Sequence, residues 1–115
     1  MIIKNEALKP VIFQNLTILD YTADVNTSSS LAVITIPPGG RHVESWSKRS
    51  DKYYYVILGS VIFTLDGDKF TLSRGDCIVV LKGRHFSYEN DTEEKTELIL
   101  FHTPSFDIKS EVFIE

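Results

Sequence analysis

The stretch "GGRHVESWSKRSDKYYYVILGS", Gly39–Ser60, decides how the rest of the chain is read. Its flanks are strand-like: "LAVITIPP" leads into it, "KYYYVIL" fills its second half, and "VIFTLDGDKF" follows directly. Runs of β-branched and aromatic residues punctuated by glycine and proline read as strands joined by tight turns. Between them lies a polar middle, "SWSKRSDK" at Ser45–Lys52, made of serines, a tryptophan and cations.

The same texture extends in both directions. "VIFQNLTIL", "CIVVL", "HFSY" and "ELILFHT" are further strand-length runs, separated by "SRGD", "KGR" and "ENDTEE". Asp66-Gly67, between "VIFTL" and "DKF", suits a two-residue hairpin with positive φ at the glycine. Only the first dozen residues and "DTEEK" are compatible with a helical turn, and neither carries a sustained 3.6-residue apolar period. About eight short strands fit a sandwich, a jelly roll or a small barrel.

A chain of 115 residues is expected to form a single domain, residues 1–115. Apolar residues at 43% and charged residues at 24% are the balance of a folded protein. The formal net charge of −4 argues against nucleic acid or an anionic membrane as partner. Neither a signal-peptide pattern nor a stretch of about 20 apolar residues is present, so a cytoplasmic location is expected. Cys77 is the single cysteine; it excludes an internal disulfide and, inside "GDCIVVL", is expected to be a small buried hydrophobe.

Two spaced patterns narrow the architecture. Gly39 is followed at fixed intervals by Ser45, Ser47, Lys52 and Gly59, and Gly75 by Leu81, Gly83, Phe86 and Asn90. These intervals resemble the two motifs of the cupin superfamily, G-x5-H-x-H-x3-4-E-x6-G and G-x5-P-x-G-x2-H-x3-N, over about residues 34–103. The resemblance implies an all-β fold, the cupin-like double-stranded β-helix or jelly-roll barrel, with a cavity between its sheets and often a dimeric state. Asp76 is expected to cap its own turn.

The family's metal-ligand positions are all substituted. Ser45 and Ser47 stand for the two histidines, Lys52 for the glutamate and Phe86 for the second-motif histidine, while Leu81 replaces the proline. Hydroxyls and a phenyl ring are poor ligands for zinc, iron or nickel. A lysine ammonium about 4 Å from a +2 ion would repel it by roughly 8 kcal/mol at an effective dielectric of about 20. No metal cofactor is therefore expected. An alternative metal site would need a shifted register that gathers His42, Glu44, Asp51 and His85, with His42 and Glu44 on one strand face by period 2.

By alternation, Ser45, Ser47, Lys52 and Tyr54 face the cavity over an apolar floor at Phe86, and these five are the candidate ligand-binding residues. Lys52 must reach water, pair with Glu44 or Asp51, or meet an anionic ligand. Tyr53 and Tyr55 face the other way, toward packing or a dimer contact, and Trp46 points away from the serines. The expected function is metal-independent binding of a small polar or anionic, carbohydrate-related molecule. An alternative is an enzyme similar to the metal-free sugar-nucleotide epimerases and ketoisomerases of this superfamily, with His42 or His85 as base and Lys52 steadying an enolate. A third is a non-catalytic regulatory module. His102 reads as a satisfied histidine at a strand end. A homodimer is expected, with "VIFQNLTIL" or "SEVFIE" covering a sheet edge of the partner.

Overall fold

The computed structural model describes residues 1–115. The apolar runs become eleven strands: β1 Val11–Phe13, β2 Leu16–Asp20, β3 Ser30–Ile36, β4 Arg41–Ser47, β5 Asp51–Leu58, β6 Ser60–Leu65, β7 Asp68–Ser73, β8 Cys77–Val80, β9 Phe86–Glu89, β10 Thr96–Thr103 and β11 Glu111–Phe113. They form an antiparallel six-stranded sheet, β1-β2-β3-β10-β5-β8, facing a five-stranded one, β11-β4-β9-β6-β7. This is the jelly roll the motif intervals imply. "VIFQNLTIL" is a hairpin turning at Gln14, which has φ 58°, so the strands outnumber the roughly eight expected from continuous runs. No helix is long and apolar enough to cross a membrane.

Strict alternation on β3, β5 and β10 sends one residue set between the sheets and the other outward. Tyr54, Val56, Leu98 and Ile34 from one sheet meet Val61, Phe63, Phe86 and Tyr88 from the other. Tyr54 and Phe63 lie 5.0 Å apart and Phe63 and Tyr88 4.9 Å, a packed aromatic centre in which each side chain contributes about 1.5–3 kcal/mol by burial.

The turns follow their residues. Asp66 and Gly67 both have positive φ, 47° and 90°, the two-residue hairpin geometry that matches strand twist. Gly59, between β5 and β6, has φ +76°, and a Cβ there would stand 2.9 Å from the Lys95 carbonyl oxygen and the Thr96 hydroxyl. The Asp76 carboxylate accepts from the Ser73 N–H at 2.8 Å, as expected of a turn cap. Buried Asn90 donates to the Ile36 and Glu94 carbonyls at 3.0 and 2.7 Å and accepts from the Thr92 N–H. These bonds hold "DTEEK" as a bent loop without a helical turn. A short 3-10 turn does form within the first dozen residues, at Asn5–Ala7, and a second one at Ile108–Ser110.

One further expectation is corrected. Cys77 is exposed, because it stands opposite Tyr55 on the outer face of β5 and β8. The segments expected to cover a partner's sheet edge, "VIFQNLTIL" and "SEVFIE", supply the edge strands β1 and β11 of the two sheets.

Candidate functional site

A cavity of about 290 Å³ opens between the sheets, beneath the N-terminal hairpin and the C-terminal segment. Val11, Phe13, Phe106, Ile108 and Phe113 line its outer part, and Lys52, Tyr54, His42, Tyr88, His102 and Glu111 supply its polar groups. Pairing registers explain why these side chains converge. Lys52 and His102 are directly opposed on β5 and β10, and both follow the inward set of their strands. Glu111 and Phe113 stand opposite Ser47 and Ser45 on β4, whose buried positions set the inward face.

The floor is a cluster built from both sheets. The Lys52 ammonium pairs with Glu111 across the gap and lies 3.1 Å from His102 Nε2. An ammonium only donates, so His102 Nε2 accepts and its proton sits on Nδ1. The lysine side chain is 5% exposed and the glutamate 3%. Desolvation lowers the Lys52 pKa even though Glu111 opposes the shift. Burial brings His102 down to about 3, with Lys52 adding to the effect. Nζ also stands 5.3 Å from the centre of the Phe86 ring.

His42 enters by a different device. Between His42, opposite Tyr88, and Ser45, opposite Phe86, β4 carries one more residue than β9. This bulge lets His42 and Ser45 both face inward although they are an odd number apart. His42 Nδ1 donates to the Val43 carbonyl at 2.6 Å, leaving Nε2 as the acceptor, and burial brings its pKa down to about 4. Burial raises the Tyr54 and Tyr88 hydroxyls.

Of the five candidate ligand-binding residues, Lys52 and Tyr54 line the cavity. Ser45, Ser47 and Phe86 are buried beside it, outside its lining. The Ser47 hydroxyl accepts from the Arg49 and Ser50 N–H groups at 3.2 and 2.9 Å, so its task is the β4–β5 turn. Phe86 packs 5.7 Å from Tyr54.

The shifted metal set does not assemble. The bulge breaks the period-2 relation between His42 and Glu44: His42 lies inside, while Glu44 is outside and meets His85 Nδ1 at 3.0 Å. Trp46 faces outward and stacks on His85. Asp51 accepts from the Lys82 N–H on the outer rim. His85 is thus removed from the candidate bases for cavity chemistry. A metal at the family's usual position fits poorly, since Lys52 Nζ lies against the His102 acceptor nitrogen and serines and phenylalanine fill the other positions. No group of three or more His, Cys, Asp and Glu side chains has metal-holding geometry.

Of the polar residues at the cavity floor, Glu111, His102 and Tyr88 were not among the sequence candidates. Glu111 lies outside both motifs, though the Glu111–Phe113 alternation was a weak signal. His102 shares period 2 with Leu98 and Leu100, which places it on the core face. The carboxylate expected from Glu44 or Asp51, or from an anionic ligand, is supplied by Glu111.

Comparison with known proteins agrees with this architecture. The cupin domain model matches residues 32–102. The tetracenomycin polyketide synthase protein TcmJ of Streptomyces glaucescens is 34% identical over 64 residues, covering 56% of this chain and 43% of TcmJ. The chain thus matches less than half the length of that relative. Pac13, a nucleoside dehydratase, superposes with a TM-score of 0.88 at 20% identity, covering 100% of this chain and 91% of its own. A Streptomyces Pac13 variant solved with uridine gives 0.86 at 20% identity, covering 98% and 89%. KdgF from Halomonas sp. gives 0.81 at 18% identity, covering 93% and 96%. At these identities the structural likeness establishes the fold.

Proposed function

The chain belongs to the cupin family, and from that premise we propose that it binds a small, neutral, oxygen-bearing ring compound in the barrel cavity without a metal, and does so as a homodimer. The observation that carries the reading is the set of uncommitted polar atoms at the cavity floor. Glu111 Oε2 and the Tyr88 hydroxyl are buried without a hydrogen-bond partner, at a cost of about 1–3 kcal/mol for each such group. Lys52 has three N–H donors, and Glu111 and His102 account for two of them. A ligand offering one acceptor and one or two donors, such as a sugar or nucleoside hydroxyl pair or a hydroxy-ketone, would complete this set.

Charge selects among such ligands. The Lys52–Glu111 pair leaves the floor formally neutral, so a phosphate or carboxylate would meet the Glu111 carboxylate with no free cation to offset it. A neutral ligand is favoured over the anionic one expected from Lys52 alone. The cavity volume lies near the lower end of the range for small-molecule sites, and its apolar mouth suits a ring with one polar edge. The uridine bound by the Pac13 variant supports a nucleoside- or carbohydrate-related ligand.

The test is a thermal-shift panel on chelator-treated protein, with elemental analysis of the same sample. Neutral nucleosides, free sugars and cyclic hydroxy-ketones should include a member that raises Tm, whereas its phosphorylated counterpart should not. Stabilisation by phosphorylated compounds alone, or a stoichiometric transition metal that survives dialysis, would overturn the reading.

A second reading, metal-free acid–base catalysis, rests on one further observation. Glu111 Oε2 is a buried carboxylate oxygen beside a buried ammonium. A base and a hydrogen-bond donor so placed can remove a proton next to a carbonyl and hold the resulting enolate oxygen. Glu111, with His42 or His102, replaces His85 in that role.

A further inference from the structure

The cavity wall carries a carboxylate that the floor does not use. Asp20, the last residue of β2, lines the cavity on the side away from Lys52. Its direction follows from pairing: Asp20 stands opposite buried Ala32 and shares period 2 with Leu16 and Ile18, both of which pack in the core. Oδ1 accepts from the Thr22 N–H at 3.1 Å, and Oδ2 has no partner within the chain. None of the four ion pairs includes Asp20. Because Lys52 and Glu111 cancel, the one remaining charge of the lining is the negative charge of Asp20.

We infer that Asp20 and Ser30 form a second subsite that takes the N–H and C=O edge of a cyclic amide, so that the ligand is a two-ring compound with hydroxyls at its other end. The inference rests on the neutral-ligand reading above and names the ligand class. Spacing calls for two rings. Asp20, Ala32, Leu100 and Tyr54 stand side by side on β2, β3, β10 and β5, and Lys52 is two residues from Tyr54. Three strand spacings of about 4.8 Å therefore put about 14 Å of wall between the two poles. A single ring seated on the floor does not reach the far carboxylate, whereas two linked rings do. Chemistry selects the edge. Ser30 lies diagonal to Asp20 on the same face, and its hydroxyl oxygen accepts from the Phe106 N–H at 2.6 Å, which leaves its own proton free to donate. Asp20 Oδ2 only accepts, so the pair offers an acceptor beside a donor, the complement of an amide N–H beside its carbonyl. The N–H bond to a carboxylate is charge-assisted and about twice as strong as a neutral one. Between the poles the wall is apolar, with Ile18, Ile34 and Leu100 from the sheet and Phe106, whose ring lies 5.1 Å from that of His102. That wall suits the faces of the rings.

Calorimetric titration of chelator-treated protein with matched nucleosides tests the subsite: uridine against 3-methyluridine, and inosine against 1-methylinosine, each pair differing in one ring N–H. The N–H member of at least one pair should bind at least about 10-fold more tightly than its methylated counterpart. Asp20→Asn keeps Oδ1 for the Thr22 N–H and puts a donor in place of Oδ2, so its circular dichroism should match the native protein. In that variant the N–H nucleoside should lose at least about 10-fold in affinity, down to the level of the methylated one. Equal binding within both pairs by the native protein overturns the subsite. A preference that persists unchanged in Asp20→Asn also overturns it, because the methyl group is then excluded by size alone. If no nucleoside binds while a free sugar or cyclic hydroxy-ketone does, the floor reading stands and the two-ring class falls. If none of these compounds binds, both fall.

Discussion

Glu111→Gln should lower the unfolding free energy by about 3–5 kcal/mol, a Tm loss on the order of 10–20 °C. The reason is the location of Lys52. Its ammonium is enclosed between the two sheets, and Glu111 is the carboxylate paired with it. An amide of the same shape keeps the packing and one hydrogen bond but leaves the positive charge without a counter-charge. Lys52→Met should cost a comparable amount, because it strands the Glu111 carboxylate. Were Lys52 an unpaired buried charge, the opposite would hold, and removing it would leave stability equal or higher. The double variant Lys52→Met/Glu111→Leu removes both charges and should recover most of the loss, as buried pairs replaced by apolar residues commonly do. Chemical denaturation of the native protein, Lys52→Met, Glu111→Leu and the double variant closes the thermodynamic cycle. Additive losses would show that the two side chains do not form one buried unit.

Acid should destabilise the protein well above the usual carboxylate range. His42 and His102 have folded pKa values near 4 and near 3, against an ordinary value of 6.5, both chiefly because burial penalises the charged ring. On acidification the unfolded chain therefore takes up these protons first. The stabilisation from keeping both rings neutral is complete above about pH 6.5 and is lost as the pH falls toward 4 and then 3. Between pH 7.5 and 5 each histidine should account for about 2 kcal/mol of lost stability. That is a large share of the roughly 5–15 kcal/mol typical of a domain. Denaturant melts at a series of pH values provide the slope, and His102→Gln should reduce it by about half. Stability that is flat from pH 7.5 to 5 would contradict the buried, neutral state of these rings.

The sequence carries the fold through features with local causes. Gly59 and the Asp66-Gly67 turn follow from backbone conformation, and the alternation on β5 fixes which of Lys52, Tyr53, Tyr54 and Tyr55 face inward. The site is less legible, for identifiable reasons. One extra residue on β4 turns His42 inward and separates it from Glu44, and nothing in "RHVES" announces a bulge. Cys77 lies in an apolar run, yet that run has a solvent-facing side, and composition does not say which residue takes it. Glu111 reaches Lys52 only because β11 returns to pair with β4, a contact between residues 59 positions apart. Long-range pairing of that kind leaves no local pattern, so the counter-charge to Lys52 becomes visible only in three dimensions.

The central claim is that a neutral ligand occupies the cavity above the Lys52–Glu111–His102 floor without a metal. Intermolecular NMR contacts test it most directly, measured on chelator-treated protein with the neutral compound that raises Tm most. The account predicts contacts from the ligand ring to Tyr54, Tyr88 and His102. Contacts confined to residues outside the cavity, or binding that returns only when a divalent metal is added, would contradict it.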